Sequence, residues 1–155
     1  MKLRLSEWAS LAEVISGIAV VITLVVLILG VRENTSAVRA SAYANNIASL
    51  NQLSIATLVD ADAVRVWESY IREDTTGFDR VDEQRLNLML LTLFRTYETA
   101  FLSERYGLLG NNEWGRFERQ ACGHFRRVQT LGVRDVLQGV LTTDFTDYLT
   151  ALCLR

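Results

Sequence analysis

The chain has 155 residues, half of them hydrophobic, and a formal net charge of −2 with acids and bases interspersed. That length is one domain, or a smaller domain with an anchor, and the charge balance leaves no basic footprint, so nucleic acid is not expected as a partner. Proline is absent; with no ring to remove a backbone donor, long uninterrupted helices are expected.

The first expected element is a helix capped by Ser6 that runs through the uncharged stretch Val14 to Val31 and on to Val59. The eighteen residues VISGIAVVITLVVLILGV would span about 27 Å as a helix, close to the ~30 Å hydrocarbon core of a bilayer. A signal peptide competes, because ASAYA at 40–44 resembles a small-residue cleavage site. Against that, the apolar run is longer than a signal's usual core, and Arg32, Glu33 and Arg39 intervene before the site. A buried helix of a soluble protein is rarely apolar on every face. The expectation is one retained transmembrane helix, with membrane lipid as its partner.

Finer periodicity lies inside the run. Steps of three and four residues connect Ala9, Ala12, Ser16, Ala19, Thr23, Val26, Gly30, Glu33, Ala37, Ala40, Ala44 and Ile47. Most are Gly, Ala, Ser or Thr, whereas Leu, Ile and Val occupy the other faces. Helices in lipid gain little from hydrophobicity when they associate, so they rely on small residues for close backbone approach. A 3.5-residue period implies a left-handed crossing near about +20°. Ala9, Ala12, Ser16, Ala19, Thr23, Gly30, Ala37, Ala40 and Ala44 are therefore expected to form a helix-packing seam, against a second copy or another subunit.

Beyond the run, Tyr43, Ile47, Leu50, Leu53 or Ser54, and Leu58 form a stripe for the C-terminal domain to pack on. Asp60 reads as the cap of a short helix burying Val64, Trp67 and Ile71. Asp79, with Asp82 at the N3 position, opens a longer helix whose core line is Leu86, Leu90, Leu93, Tyr97 and Phe101, widened by Leu88, Met89, Leu91 and Phe94, and which stops at Gly107. Asn111 or Asn112 caps a helix carrying Trp114, Phe117, Ala121, Phe125 and Val128 and ended by Gly132. The segment VRDVLQGVL leads to a last helix begun by Thr142 or Thr143 and burying Phe145, Leu149 and Leu152. The expected fold is all-α: an N-terminal tail and transmembrane helix over 1–31, a helical stalk over 32–59, and a small helical bundle over 60–155.

Three segments carry a family resemblance. VRENTSAVRASAY resembles R-x-N-T-x-A-x-R-A through Arg32, Asn34, Thr35, Ala37, Arg39 and Ala40. LFRTYETAF resembles F-R-x-[FY]-E through Phe94, Arg95, Tyr97 and Glu98, and Arg105, Gly107, Leu108 and Leu109 match R-x-G-L-L. NNEWGRFER follows as the third. Together they resemble a family of small bacterial single-pass membrane proteins with a helical domain and no established activity. One departure is Ala61, where a proline often follows the capping Asp. The resemblance implies a fold and a topology and supplies no chemistry.

Candidate sites are few. Cys122 and Cys153 are too few for a disulfide framework and read as free thiols. No metal-ligand spacing, phosphate loop or nucleophile motif occurs, so no catalytic residue, metal or cofactor is expected. Arg95 and Glu98, three apart in an apolar helix, read as a structural polar pair joining two helices or as the edge of a small-ligand pocket. Arg32 and Arg39 at the membrane exit can meet lipid headgroups. Flanking bases tie, Lys2 and Arg4 against Arg32 and Arg39. The absence of a cleaved signal, the short N-terminal tail and the thiols point to a cytoplasmic C-terminal domain on a bacterial inner membrane. The expected function is a non-enzymatic, membrane-anchored helical protein that forms a homo-oligomer or serves as an accessory or scaffold subunit of a larger membrane complex. A homo-oligomeric pore with Ser16 and Thr23 facing a channel, and a small-ligand sensor or adaptor, are the alternatives.

Overall fold

The computed structural model describes residues 5–133, 137 and 139–154, without the side chains of 5–7 and 9–11. Among the described residues the fold is all-helical: α1 (Leu5–Leu58), α2 (Ala61–Ile71), α3 (Arg80–Arg105), α4 (Asn111–Thr130) and α5 (Thr143–Cys153). The chain divides into two units, Met1–Val38 and Arg39–Arg155, so the boundary falls seven residues beyond Val31, the limit expected for the membrane helix.

In the first unit, every described side chain from Ala12 to Val38 is exposed. Val26 and Leu27 are 63% and 60% accessible. This is a helix long and apolar enough to cross a membrane, with a mean hydropathy of 3.0 over its most apolar window and none of that window buried. Thr23 and Thr35 donate their hydroxyls to the carbonyls of Ala19 and Val31, both at 2.8 Å, so their polar hydrogens are satisfied within the helix. The capping role expected of Ser6, and the side chain of Ala9, lie outside the described residues.

The second unit is a bundle in which α3 packs on α2 and α4, and α4 on α5. Its core runs from Val66 and Tyr70 of α2 through Leu86, Leu90, Phe94 and Tyr97 of α3 to Phe125 of α4 and Phe145 of α5. The C-terminal part of α1 lays Tyr43, Ile47, Leu50 and Leu53 against that core, with Tyr43 edge-on to Phe117. Leu58, assigned to the same stripe, is 74% exposed, since the helix ends there.

The helix ends follow their local chemistry. Asp60 accepts from the backbone N–H groups of Asp62 and Ala63, and Asp79 from those of Val81 and Asp82. Both satisfy donors that the helix itself cannot. Gly107 and Gly132 both take φ of +69°, the left-handed geometry that closes a helix without a Cβ clash. The expected Asn cap of α4 is corrected: Gly110 holds that position, and its N–H donates to Glu113 at 2.7 Å.

Three helix faces also differ from expectation. On α2 the buried edge is Ala63, Val66 and Tyr70, while Ile71 is exposed. Tyr70 supplies a larger core filler, and taking it inward rotates the helix away from the Val64–Trp67–Ile71 line. Leu88 of α3 is exposed, because α2 and α4 cover the opposite side. On α5, Cys153 is buried in place of Leu152. The cause is covalent: Cys122 and Cys153 form a disulfide between α4 and α5, with Cα atoms 5.2 Å apart. The free thiols expected from the sequence are thus corrected.

Candidate functional site

One set of polar and aromatic groups that converges in the bundle comes from three helices, apart from a second around Phe101, Trp114 and Tyr148. α2 presents Trp67 and Tyr70, α3 presents Tyr97, and α4 presents His124 between their rings. Ring centroids lie 5.7 Å from His124 to Trp67, 5.8 Å to Tyr70 and 6.2 Å to Tyr97. The Tyr70 hydroxyl is 3.0 Å from His124 Nδ1 and 3.4 Å from the His124 carbonyl oxygen. Assigned as donor to Nδ1, the hydroxyl leaves the imidazole proton on Nε2; the reverse assignment, with Nδ1–H donating to the hydroxyl, would leave Nε2 an acceptor.

Electrostatics keep this cluster uncharged. Burial, and secondarily the nearby Arg127 cation, lower the His124 pKa to about 4. Burial pushes the Tyr70 hydroxyl up to about 12 and raises that of Tyr97 as well. The Arg127 guanidinium stacks 5.4 Å from the Tyr70 ring centre and reaches Glu73 at 3.4 Å. Near neutral pH the histidine and both tyrosines are therefore neutral hydrogen-bonding groups.

Beside the cluster is a cavity of about 640 Å³, with Trp67, Leu93, Tyr97 and His124 on one side and Leu50 and Leu53 of α1 on the other. It falls in the size range of small-molecule sites. A second, shallower groove of about 320 Å³ runs past Asn46, Ser49, Thr92, Arg95 and Thr99. Threonine hydroxyls along it are bonded to carbonyls of their own helix, which leaves Arg95 as its cation.

The expected Arg95–Glu98 pair is not formed. Arg95 is exposed on the groove, whereas Glu98 Oε1 accepts from the Thr142 backbone N–H at 2.6 Å and from its hydroxyl at 2.7 Å. Glu98 thereby fastens the start of α5 to α3, where a carboxylate is also favoured by the helix dipole. A three-residue step places side chains side by side on a helix, but each found a better partner on another element. Arg39, expected at lipid headgroups, donates its Nε–H to the Gly107 carbonyl at 2.9 Å and so contacts the end of α3. Arg32 is exposed.

Of the expected seam, Ala12, Ser16, Ala19, Thr23, Gly30 and Ala37 are exposed in the first unit. Ala40 and Ala44 are exposed in the second, where the bundle uses the neighbouring face of α1. Ile47, the last residue on the line, packs on the core instead. A Cβ placed on Gly30 meets no atom within 4 Å, so nothing among the described residues requires a glycine there.

Other charged groups hold the bundle together. Arg65 bonds to Asp82 at 2.5 Å, and this hydrogen bond holds the Asp82 carboxyl below the usual carboxylate range. Arg105 pairs with Asp144 at 2.9 Å. Among the described residues no three His, Cys, Asp or Glu side chains come together as metal ligands.

Sequence reading missed the aromatic cluster. Trp67 and Tyr70 stand three apart in α2, a visible signal of a shared face. His124 gave none, since its partners lie 54 and 27 residues away in the chain. No family model, curated protein or solved structure matches the chain.

Proposed function

We propose that this is a non-enzymatic, membrane-anchored helical protein whose N-terminal segment spans a bilayer and associates through its small-residue face. It does so with a second copy or within a larger membrane complex, in keeping with the bacterial single-pass proteins it resembles. One observation carries this reading: an apolar helical segment is exposed on all sides from Ala12 to Val38. Exposed Val, Leu and Ile side chains in that number are incompatible with water and call for lipid or another helix. The small side chains along one line leave room for the second of these without displacing the first.

The disulfide bears on orientation. Such bonds persist in oxidising compartments and are rare in the cytosol. With flanking bases tied, the Cys122–Cys153 bond supports a bundle on the outer, oxidising side of the membrane. It removes the free-thiol support from the cytoplasmic expectation, which had rested also on the short N-terminal tail and the absence of a cleaved signal.

Chemical cross-linking in native membranes, followed by gentle extraction and size analysis, tests association. Ala19→Leu on the seam should weaken the assembly, while Val20→Leu on another face should leave it intact. A strict monomer before and after extraction would sink the reading. Orientation is read separately by denaturing alkylation of the membrane-embedded chain with a maleimide: label should enter Cys122 and Cys153 only after reduction.

A further inference from the structure

The cavity beside His124 has a feature that an ordinary packing defect lacks. Tyr97 is 1% exposed, and among the described residues its hydroxyl has no hydrogen-bond partner. His124 Nδ1 is engaged by Tyr70, while Nε2 has none among those residues. Neither the Tyr97 hydroxyl nor His124 Nε2 is among the fully buried side-chain atoms left without a partner, so both open onto accessible space where water or a ligand can satisfy them. Both residues line the same cavity of about 640 Å³.

The rest of the lining defines what fits. No Asp, Glu, Lys or Arg borders the cavity, so it offers nothing to offset the desolvation of an ionic ligand. Trp67 and Tyr97 provide aromatic surface, Leu50, Leu53 and Leu93 provide aliphatic surface, and Asn51, Ser54, Thr57 and Gln120 add neutral polar groups. Tyr97 O–H and, in the assigned tautomer, His124 Nε2–H are both donors. Their complement is an acceptor oxygen on an otherwise apolar body.

We propose that this cavity binds one small, uncharged, carbonyl-bearing aromatic molecule, its oxygen accepting from Tyr97 and His124 and its rings lying between Trp67 and the leucines of α1 and α3. This site is independent of how the N-terminal segment associates. A few polar atoms among apolar walls are usual in a small-molecule site, where a few hydrogen bonds fix orientation. A ligand lacking the oxygen would leave the donors unpaired, which is a strong source of discrimination.

Benzophenone is a direct probe, since it has the required chemistry and bonds covalently to nearby C–H groups under ultraviolet light. The full chain, reconstituted in phosphatidylethanolamine–phosphatidylglycerol nanodiscs, is irradiated with benzophenone and its adducts are mapped by peptide mass spectrometry. Adducts are expected on peptides containing Leu50, Trp67 and Tyr97, besides those that dissolved probe leaves on Val14 to Val31. With concentrations counted in the aqueous phase, 2-acetonaphthone should compete at roughly five- to tenfold lower concentration than 2-methylnaphthalene, the value of about one hydrogen bond. The anion 2-naphthoate should not compete. Tyr97→Phe should keep the labelled peptides but narrow the gap between the two neutral competitors, with His124 remaining as the second donor. Leu50→Trp, which fills the cavity from the half-exposed α1 side, should remove the bundle adducts. Circular dichroism checks that both variants fold, and Tyr97→Phe alone decides the matter if Leu50→Trp does not. Labelling confined to Val14–Val31, competition by 2-naphthoate equal to that of the ketone, or an unchanged ketone preference in Tyr97→Phe would each overturn the proposal.

Discussion

The segment Ala12–Val38 and helix α4 are both regular helix, and they place their apolar residues in opposite ways. In α4, Trp114, Phe117, Ala121, Phe125 and Val128 recur every three or four residues, and all five are buried. In the N-terminal segment apolar residues occupy every face and none of the described ones is buried. The difference shows that periodicity, more than hydrophobic content, decides whether a helix finds its cover within its own chain. A stripe can be closed by two neighbouring helices, whereas an all-round apolar surface needs a surrounding solvent of the same kind.

The comparison can be broken most forcibly in the N-terminal segment. Val21→Arg combined with Val25→Arg should abolish stable membrane insertion, since each central arginine costs about 2.5–3.5 kcal/mol on insertion scales. Fractionation should then find the chain outside the membrane pellet or degraded. An equivalent insult to the bundle acts through packing. Phe94 is wholly buried, and Phe94→Ala should lower stability by about 3–5 kcal/mol while leaving membrane fractionation unchanged. Leu88 lies on the same helix but is exposed, so Leu88→Ala should shift stability by less than about 0.5 kcal/mol.

Smaller effects sharpen how the bundle is held. The disulfide closes a separation of 31 residues, and chain entropy assigns such a cross-link about 3–4 kcal/mol. Reduction should lower the melting temperature of the bundle accordingly, with no change in where the chain fractionates. The pH response follows from His124, whose folded pKa of about 4 lies below its ordinary 6.5. The unfolded chain therefore binds the extra proton between these values, so the stability contribution is complete above about pH 6.5 and declines as pH falls toward 4. The decline amounts to at most about 3 kcal/mol, read as a falling melting temperature. His124→Phe keeps a ring beside Trp67 and Tyr97 and should flatten that limb. Asp82 acts lower on the scale: its depressed pKa gives stability above the ordinary carboxylate range that is lost on further acidification.

Much of the fold was legible because helices announce themselves locally. Asp60 and Asp79 cap where their side chains can reach the next backbone donors, and Gly107 and Gly132 stop helices where a left-handed residue is needed. The core line of α3 was equally readable from Leu86 to Phe101. What eluded the sequence depended on partners distant in the chain. Glu98 could not be separated from Arg95 until Thr142 was beside it. Cys153 displaced Leu152 from the core face because Cys122 sits across from it on α4. The cavity lining draws on four helices, and no short motif encodes such a meeting.

Alkaline extraction of native membranes, with the intact mass of the extracted chain, tests the central claim that the N-terminal helix is a retained membrane segment. The expected result is that the chain stays in the membrane pellet with its N-terminal helix and its bundle on one uncleaved polypeptide. Release into the supernatant, or a mass showing cleavage near residues 40–44, would contradict it.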